Sequence, residues 1–166
     1  MLQAIVYESN TGFTAEYAGM LSKAVSLPAY TVAEAEAKLG QGAEVVFLGW
    51  LMAGGIRGFD KAKKRYEIRA LGAVGMAPAD EDQVKGLNER YAAYAPVYYL
   101  PGGFNMNKLG FIHRVMMKTM RRFLGKRIEK DEAPSAQAKE MLEMFDKGGS
   151  FVDEANLAPI IAAIQQ

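Results

Sequence analysis

LQAIVYESNTGFTAEYAGML, residues Leu2 to Leu21, passes from a strand pattern to a helix pattern within a few positions. LQAIVY (Leu2–Tyr7) is short, apolar and β-branched, as a strand buried on both faces of a parallel sheet must be. From Gly12 to Val25 the apolar residues Phe13, Tyr17, Met20, Leu21 and Val25 recur at helical spacing. Between the two patterns stand Ser9, Asn10, Thr11, Gly12 and Thr14, small groups that packing does not require.

The alternation continues outward from this stretch. PAYTV around Tyr30 reads as a short second strand and AEAEAKL as a short helix. AEVVFLGW (Ala43–Trp50) is the clearest central strand and runs into a glycine-rich loop, LMAGGIRG. A lysine-rich helix near Phe59–Glu67, a fourth strand at Ala70–Met76, a helix near Asp80–Tyr94 and a fifth strand at Pro96–Gly103 follow. Five strands separated by short helices predict an α/β fold with an open parallel sheet and helices on both faces. The last third differs: Asn107–Lys126 reads as a long basic helix, Ser135–Lys147 as a second, and Asp153–Ile164 as a third carrying Pro159 near its start. A single domain over 1–166 is expected, with 103–150 as a helical addition within it.

Composition narrows the function. The chain has 166 residues, half of them apolar and 23% charged, with net charge +1. That balance gives no field for nucleic acid. The absence of cysteine removes disulfides, thiolate zinc sites and iron–sulfur clusters, and a lone histidine argues against an imidazole metal site. No stretch is apolar for long enough to span a bilayer, so a cytoplasmic protein is expected.

The residues between strand and helix have a chemical reading. A helix N-terminus presents unpaired N–H groups and the positive end of a dipole, which suits an anion. Ser9, Asn10, Thr11 and Thr14 add neutral donors, and Gly12 permits close backbone approach. No lysine lies between Met1 and Ser22, so this is not the loop that cradles polyphosphates, and the glycine spacing of a dinucleotide loop is missing. A socket of neutral donors suits one terminal phosphomonoester. Plain N-capping is the competing reading, but capping requires one such side chain rather than four.

Ser9-Asn10-Thr11-Gly12-Phe13-Thr14, following a first strand, resembles the phosphate loop of the flavodoxin-like family, [ST]-x-T-G-x-T, which holds the phosphate of FMN. The resemblance implies a five-stranded parallel sheet in the order 2-1-3-4-5 with extra C-terminal helices, the ligand lying at the switch point between strands 1 and 3. It extends to VVFLGWLMAGG (Val45–Gly55), so that Trp50, Leu51, Met52, Ala53, Gly54 and Gly55 would shape the flavin site. Trp50 either stacks on the ring or completes the core at a strand end. Gly75, Met76, Ala77 and Pro78 would face the other side of the ring, with Ser9, Asn10, Thr11, Gly12, Phe13 and Thr14 on the phosphate. Within the family, YYLPGGFNMNKLGFIHRVMMKTMRRFLG (Tyr98–Gly125) is similar to the menaquinone-dependent protoporphyrinogen dehydrogenase branch. That branch carries a long basic insertion between strands 4 and 5, where this chain has only Pro78–Ala95.

The resemblance implies an FMN-binding redox protein: either a dehydrogenase or reductase acting on a porphyrinogen- or quinone-like substrate, or a non-catalytic electron carrier with a redox partner protein. A phosphoester-binding module with a partner-docking basic helix is the reading from another class. In that helix Leu109, Ile112, Met116, Met120 and Phe123 form an apolar stripe, with Arg114, Lys118, Arg121, Arg122 and Lys126 around it. The expected role of the stripe is core packing beneath a solvated basic face. The sharper alternative makes Asn107–Lys130 a docking surface for an acidic partner or an anionic membrane, with Met106, Met116, Met117 and Met120 as adaptable contacts. The acidic residues of Asp131–Glu154 argue against the membrane, because they can neutralise that face internally. His113 lies on this helix, and a structural role away from the flavin is expected for it.

Overall fold

The computed structural model describes residues 1–130 and 136–165; Asp131–Ser135 and Gln166 lie outside the described residues, and with them the expected start of a helix at Ser135. The chain runs β1 (Ala4–Glu8), α1 (Phe13–Val25), β2 (Ala29–Thr31), α2 (Val32–Lys38) and β3 (Glu44–Met52). It continues through β4 (Gly55–Ile56), α3 (Phe59–Ala62), β5 (Glu67–Gly75), α4 (Glu81–Tyr91) and β6 (Val97–Pro101). The last third comprises β7 (Gly103–Phe104), a 3₁₀ turn (Met106–Lys108), α5 (Phe111–Lys130) and α6 (Ala136–Lys147). It ends in β8 (Gly149–Ser150), a second 3₁₀ turn (Glu154–Leu157) and α7 (Ala158–Ile164).

Five mutually parallel strands form the sheet in the order β2-β1-β3-β5-β6, and β4 pairs antiparallel to the end of β3. The register explains the two-sided core. Tyr30, Val6, Phe47, Leu71 and Val97 stand in one row across the sheet. They pack against Val32 and Ala35 of α2, Phe59 of α3 and Leu87 and Tyr91 of α4. One residue earlier along the strands, Ile5, Val46 and Ala70 face the opposite way and meet Tyr17 and Leu21 of α1 with Leu157 and Ile160 at the C-terminus. Alternate residues of a strand face opposite sides, so near-continuous apolar runs are what a sheet covered on both faces demands.

Helix boundaries follow local chemistry where it is available. Thr31 and Glu34 form a capping box at α2, and Asp80 Oδ1 accepts from Gln83 N at α4. The lysine-rich helix expected over Phe59–Glu67 is only α3, which stops at Ala62. Tyr66 is drawn into the core and Glu67 pairs with Glu44, so strand formation overrides the helical propensity of KAKKR. The glycine-rich loop expected after Trp50 is in part a hairpin. Leu51 pairs with Ile56 and Met52 with Gly55, around a turn whose two residues, Ala53 and Gly54, both have positive φ.

The helical addition has a defined base. Gly103 pairs with Ser150 and Phe104 with Gly149, so the chain leaves and re-enters through a two-stranded ribbon before α7 returns to the sheet face. Tyr17 fastens that return: its hydroxyl donates to Pro101 O at 2.6 Å and accepts from Asn156 Nδ2 at 2.8 Å. Burial pushes the Tyr17 phenol pKa up.

Candidate functional site

Parallel strands direct their C-terminal ends to one edge, and helices that follow them start there. At that edge lies a cavity of about 610 Å³, within the usual size of a small-molecule site. Asn10, Thr11, Phe13 and Thr14 line one end of it. Trp50, Leu51, Met52, Ala53 and Gly54 line a second side, and Val74, Gly75 and Met76 a third. Of the residues expected around a flavin, Ser9, Gly12, Gly55, Ala77 and Pro78 do not line the cavity.

The end at α1 is rich in unused donors. Gly12 is the N-cap at φ 100°, a backbone state that a side chain would strain. Ser9 Oγ accepts from Ala15 N at 3.3 Å, so Ser9 performs the capping. Among the described residues, the N–H groups of Phe13 and Thr14 find no acceptor. Thr14 is 2% exposed, lines the cavity, and its hydroxyl likewise has no partner there. Lys108 completes the electrostatics: its Nζ lies 3.7 Å from where a Cβ on Gly12 would sit. Two positive ends thus face each other, the helix dipole and an ammonium, an arrangement that an anion between them stabilises. Beside it a polar hollow of about 800 Å³, sharing Phe13, Phe104 and Asn105 with the cavity, is lined by Lys108, Lys118 and Lys147 and by Arg121 with Asp146.

The hairpin wall is pinned from α4. Arg90 Nη1 donates to Gly54 O at 2.7 Å, and Ile56 N donates to Tyr91 Oη at 2.9 Å in a buried position. Ala53 holds φ 50°, an unfavourable state for a residue with a Cβ, as site-forming turns often do. The third wall depends on Gly75. A Cβ there would fall 1.9 Å from the Tyr99 hydroxyl, which in turn donates to Ala77 O and holds the loop against β6. Burial pushes the Tyr99 pKa up to about 12.

Trp50 is half-buried and open to the cavity, so it does not merely finish the core. The Arg57 guanidinium lies 5.9 Å from its ring centre. His113 meets it edge-on, with ring centres 5.9 Å apart and planes at 80°. The expectation that His113 sits away from this edge is therefore wrong. α5 and the bend before it cross the strand ends and bring Leu109, His113, Met116, Met117 and Met120 over the cavity. The expected burial of the α5 stripe is corrected as well. Met116 is 40% exposed, Met120 47% and Phe123 72%, and the deeply buried methionine is Met117. The helix lies over a hollow edge and not a flat sheet face, so these three side chains of the stripe keep much of their surface open. Ile112 and Met106 side chains lie outside what is described.

Sequence reasoning missed Lys108, His113, Gln83 and Arg90. Gln83 was reachable, since the helix after a parallel strand begins at the same edge; Arg90, in the last turn of α4, was not. Lys108 and His113 carried no local signal, because only the packing of α5 brings them there. Among the described residues no helix is long and apolar enough to cross a membrane, and no three potential metal ligands cluster. Comparison with protein-family models, curated proteins and solved structures finds no match to this chain.

Proposed function

We propose that this chain is a flavodoxin-like flavoprotein that binds FMN non-covalently in the strand-end cavity and transfers electrons. Counting the parallel strands alone, the sheet order reads 2-1-3-4-5, with the cavity beside the ends of β1 and β3. The observation that carries the reading is the cavity-lining Thr14, whose hydroxyl has no partner among the described residues, beside the open N–H groups of α1 and the Lys108 ammonium. That donor set fits a phosphomonoester: neutral hydroxyls and N–H groups saturate its oxygens, and one cation balances its charge.

Asn10, Thr11 and Thr14 hold the phosphate. Trp50 and Met52 on one side, with Gly75 and Met76 on the other, form apolar walls for a flat ring system. When bound, the flavin supplies one- or two-electron transfer, and the protein sets its access and potential. A cover of Met116, Met117 and Met120 over the cavity favours a reductase or dehydrogenase with a small flat substrate over a bare carrier. The carrier reading draws on the other side of α5, where Phe111 is 80% exposed among Lys118, Arg122 and Lys126, a mixed surface suited to a protein partner.

The visible absorption spectrum of the purified chain, with identification of the small molecule released by heating, tests the reading. Flavin bands and released FMN are expected, and Thr11→Glu, which sets a carboxylate where the phosphate would lie, is expected to abolish both. A colourless chain that takes up no added FMN overturns it, and the phosphoester-binding module then stands in its place.

A further inference from the structure

The polar hollow of about 800 Å³ lies beside the phosphate end of the cavity, and the function proposed above gives it no occupant. Phe13 and Phe104 line both spaces and form the boundary between them. Three segments deliver ammonium groups to the hollow: Lys108 from the first 3₁₀ turn, Lys118 from α5 and Lys147 from the last turn of α6. The carboxylate lining it is Asp146, and the Arg121 fork closes on that group, with Nη2 to Oδ2 at 2.9 Å. None of the three lysines has an ion pair among the described residues. Lys147 has a local reason for its place, the negative end of the α6 dipole. Lys118 has none. It stands at four-residue spacing from Arg114 and from Arg122, and like charges so placed oppose helix formation. No acidic residue between Phe111 and Ile128 relieves them.

We infer that this hollow is a second ligand site, for a nucleoside diphosphate. The inference does not rest on the FMN reading; the two sites meet at the Phe13–Phe104 boundary and at Lys108. A carboxylate ligand calls for a guanidinium fork, and Asp146 already occupies the Arg121 fork. Unpaired ammonium groups act as point charges and suit the tetrahedral oxygens of phosphate. Lys118 and Lys147 serve the hollow alone, one cation for each of two phosphate groups, while Lys108 is shared with the socket at Gly12. Neutral donors stand beside them. Asn105 Oδ1 accepts from Asn107 N and Ser150 Oγ accepts from Val152 N, which leaves the Asn105 amide N–H groups and the Ser150 hydroxyl to donate. Two phosphate groups do not fill the hollow. The remaining space, bordered by the Phe13 ring, suits a nucleoside, whose base presents a flat face to an aromatic neighbour.

Calorimetric titration of the full chain with ADP at low salt tests this, with AMP and inorganic pyrophosphate titrated in parallel. Saturable ADP binding is expected, tighter than that of AMP or pyrophosphate and weakening as salt rises. Lys118 and Lys147 are exposed, so Lys118→Ala with Lys147→Ala leaves the fold intact. That double variant should lose about 10- to 100-fold in ADP affinity and keep its FMN uptake. Lys126→Ala removes the same charge from α5 outside the hollow and should leave ADP affinity nearly unchanged. Thr11→Glu, which blocks the first socket, should still bind ADP. Wild-type ADP affinity in the double variant overturns the site, and so does loss of ADP binding in Thr11→Glu, which would put the ADP phosphates in the first socket. AMP bound as tightly as ADP overturns the diphosphate, and pyrophosphate bound as tightly overturns the nucleoside. A chain that holds FMN yet shows no saturable ADP binding overturns this inference alone. A chain that takes up no FMN but binds ADP through Lys118 and Lys147 supports it and sinks the cofactor reading instead.

Discussion

β3 and α5 are both rich in apolar residues, yet they use them in opposite ways. In β3, Val45, Val46, Phe47 and Leu48 are all fully buried, because helices cover both faces of the sheet. In α5, Phe111, Val115 and Phe123 stand exposed, Met116 and Met120 sit at a cavity rim, and among the described side chains Met117 is the deeply packed one. The sheet spends its apolar surface on stability, whereas α5 leaves its own at a hollow and at the solvent. A chain places apolar groups that way where something other than the core covers them. The ion pair Arg121–Asp146, with Nη2 to Oδ2 at 2.9 Å, holds α5 to α6, so the addition has fastenings of its own.

The sharpest break of this comparison is a pair of truncations. Phe47→Ala should cost about 3–5 kcal/mol in denaturant unfolding, and Phe123→Ala less than about 0.5 kcal/mol. Equal losses would mean that α5 is part of the core after all. A smaller effect concerns pH. The folded-state pKa of Tyr99, about 12, lies above its ordinary value of 10.0. The folded chain therefore holds that proton where the unfolded chain loses it, and stability should fall as pH rises between those values. The loss is at most about 2–3 kcal/mol. Tyr99→Phe should reduce this slope, leaving the part that the likewise raised Tyr17 contributes, as read by unfolding at a series of alkaline pH values.

Gly75→Ala drives a methyl group into the Tyr99 hydroxyl and should cost about 1–3 kcal/mol. It should also loosen the third wall, measured as weaker flavin retention. Wild-type stability and retention in that variant would show that the Tyr99 ring moves aside freely. Smallest is Lys108→Ala, which should leave unfolding unchanged and weaken FMN binding about 3- to 10-fold at low salt, with the difference shrinking as salt rises. An unchanged affinity would place the phosphate away from Gly12.

How much could be read beforehand differs between the same two regions. The strands were legible because residues buried on two faces must be apolar throughout, a pattern visible without knowing their neighbours. The gathering of Asn10, Thr11 and Thr14 at the start of α1 was legible because a helix start and its neighbouring donors are contiguous in the chain. The hairpin after Trp50 was not. An alanine at positive φ contradicts local preference and is held by Arg90 and Tyr91 from a helix more than thirty residues away. The end of α3 was hidden as well, since the pairing of Glu67 with Glu44 outweighed a lysine-rich helical pattern.

By itself the sequence determined the parallel α/β architecture and the donor-rich turn at Ser9–Thr14, since both follow from periodicity and neighbouring residues. Only the tertiary structure decided what faces that turn. Lys108 reaches Gly12, and His113 reaches Trp50, through the docking of α5 across the strand ends. Local preference fixes that these residues are helical or capping. It carries no term for the distance between segments far apart in the chain, which long-range packing sets.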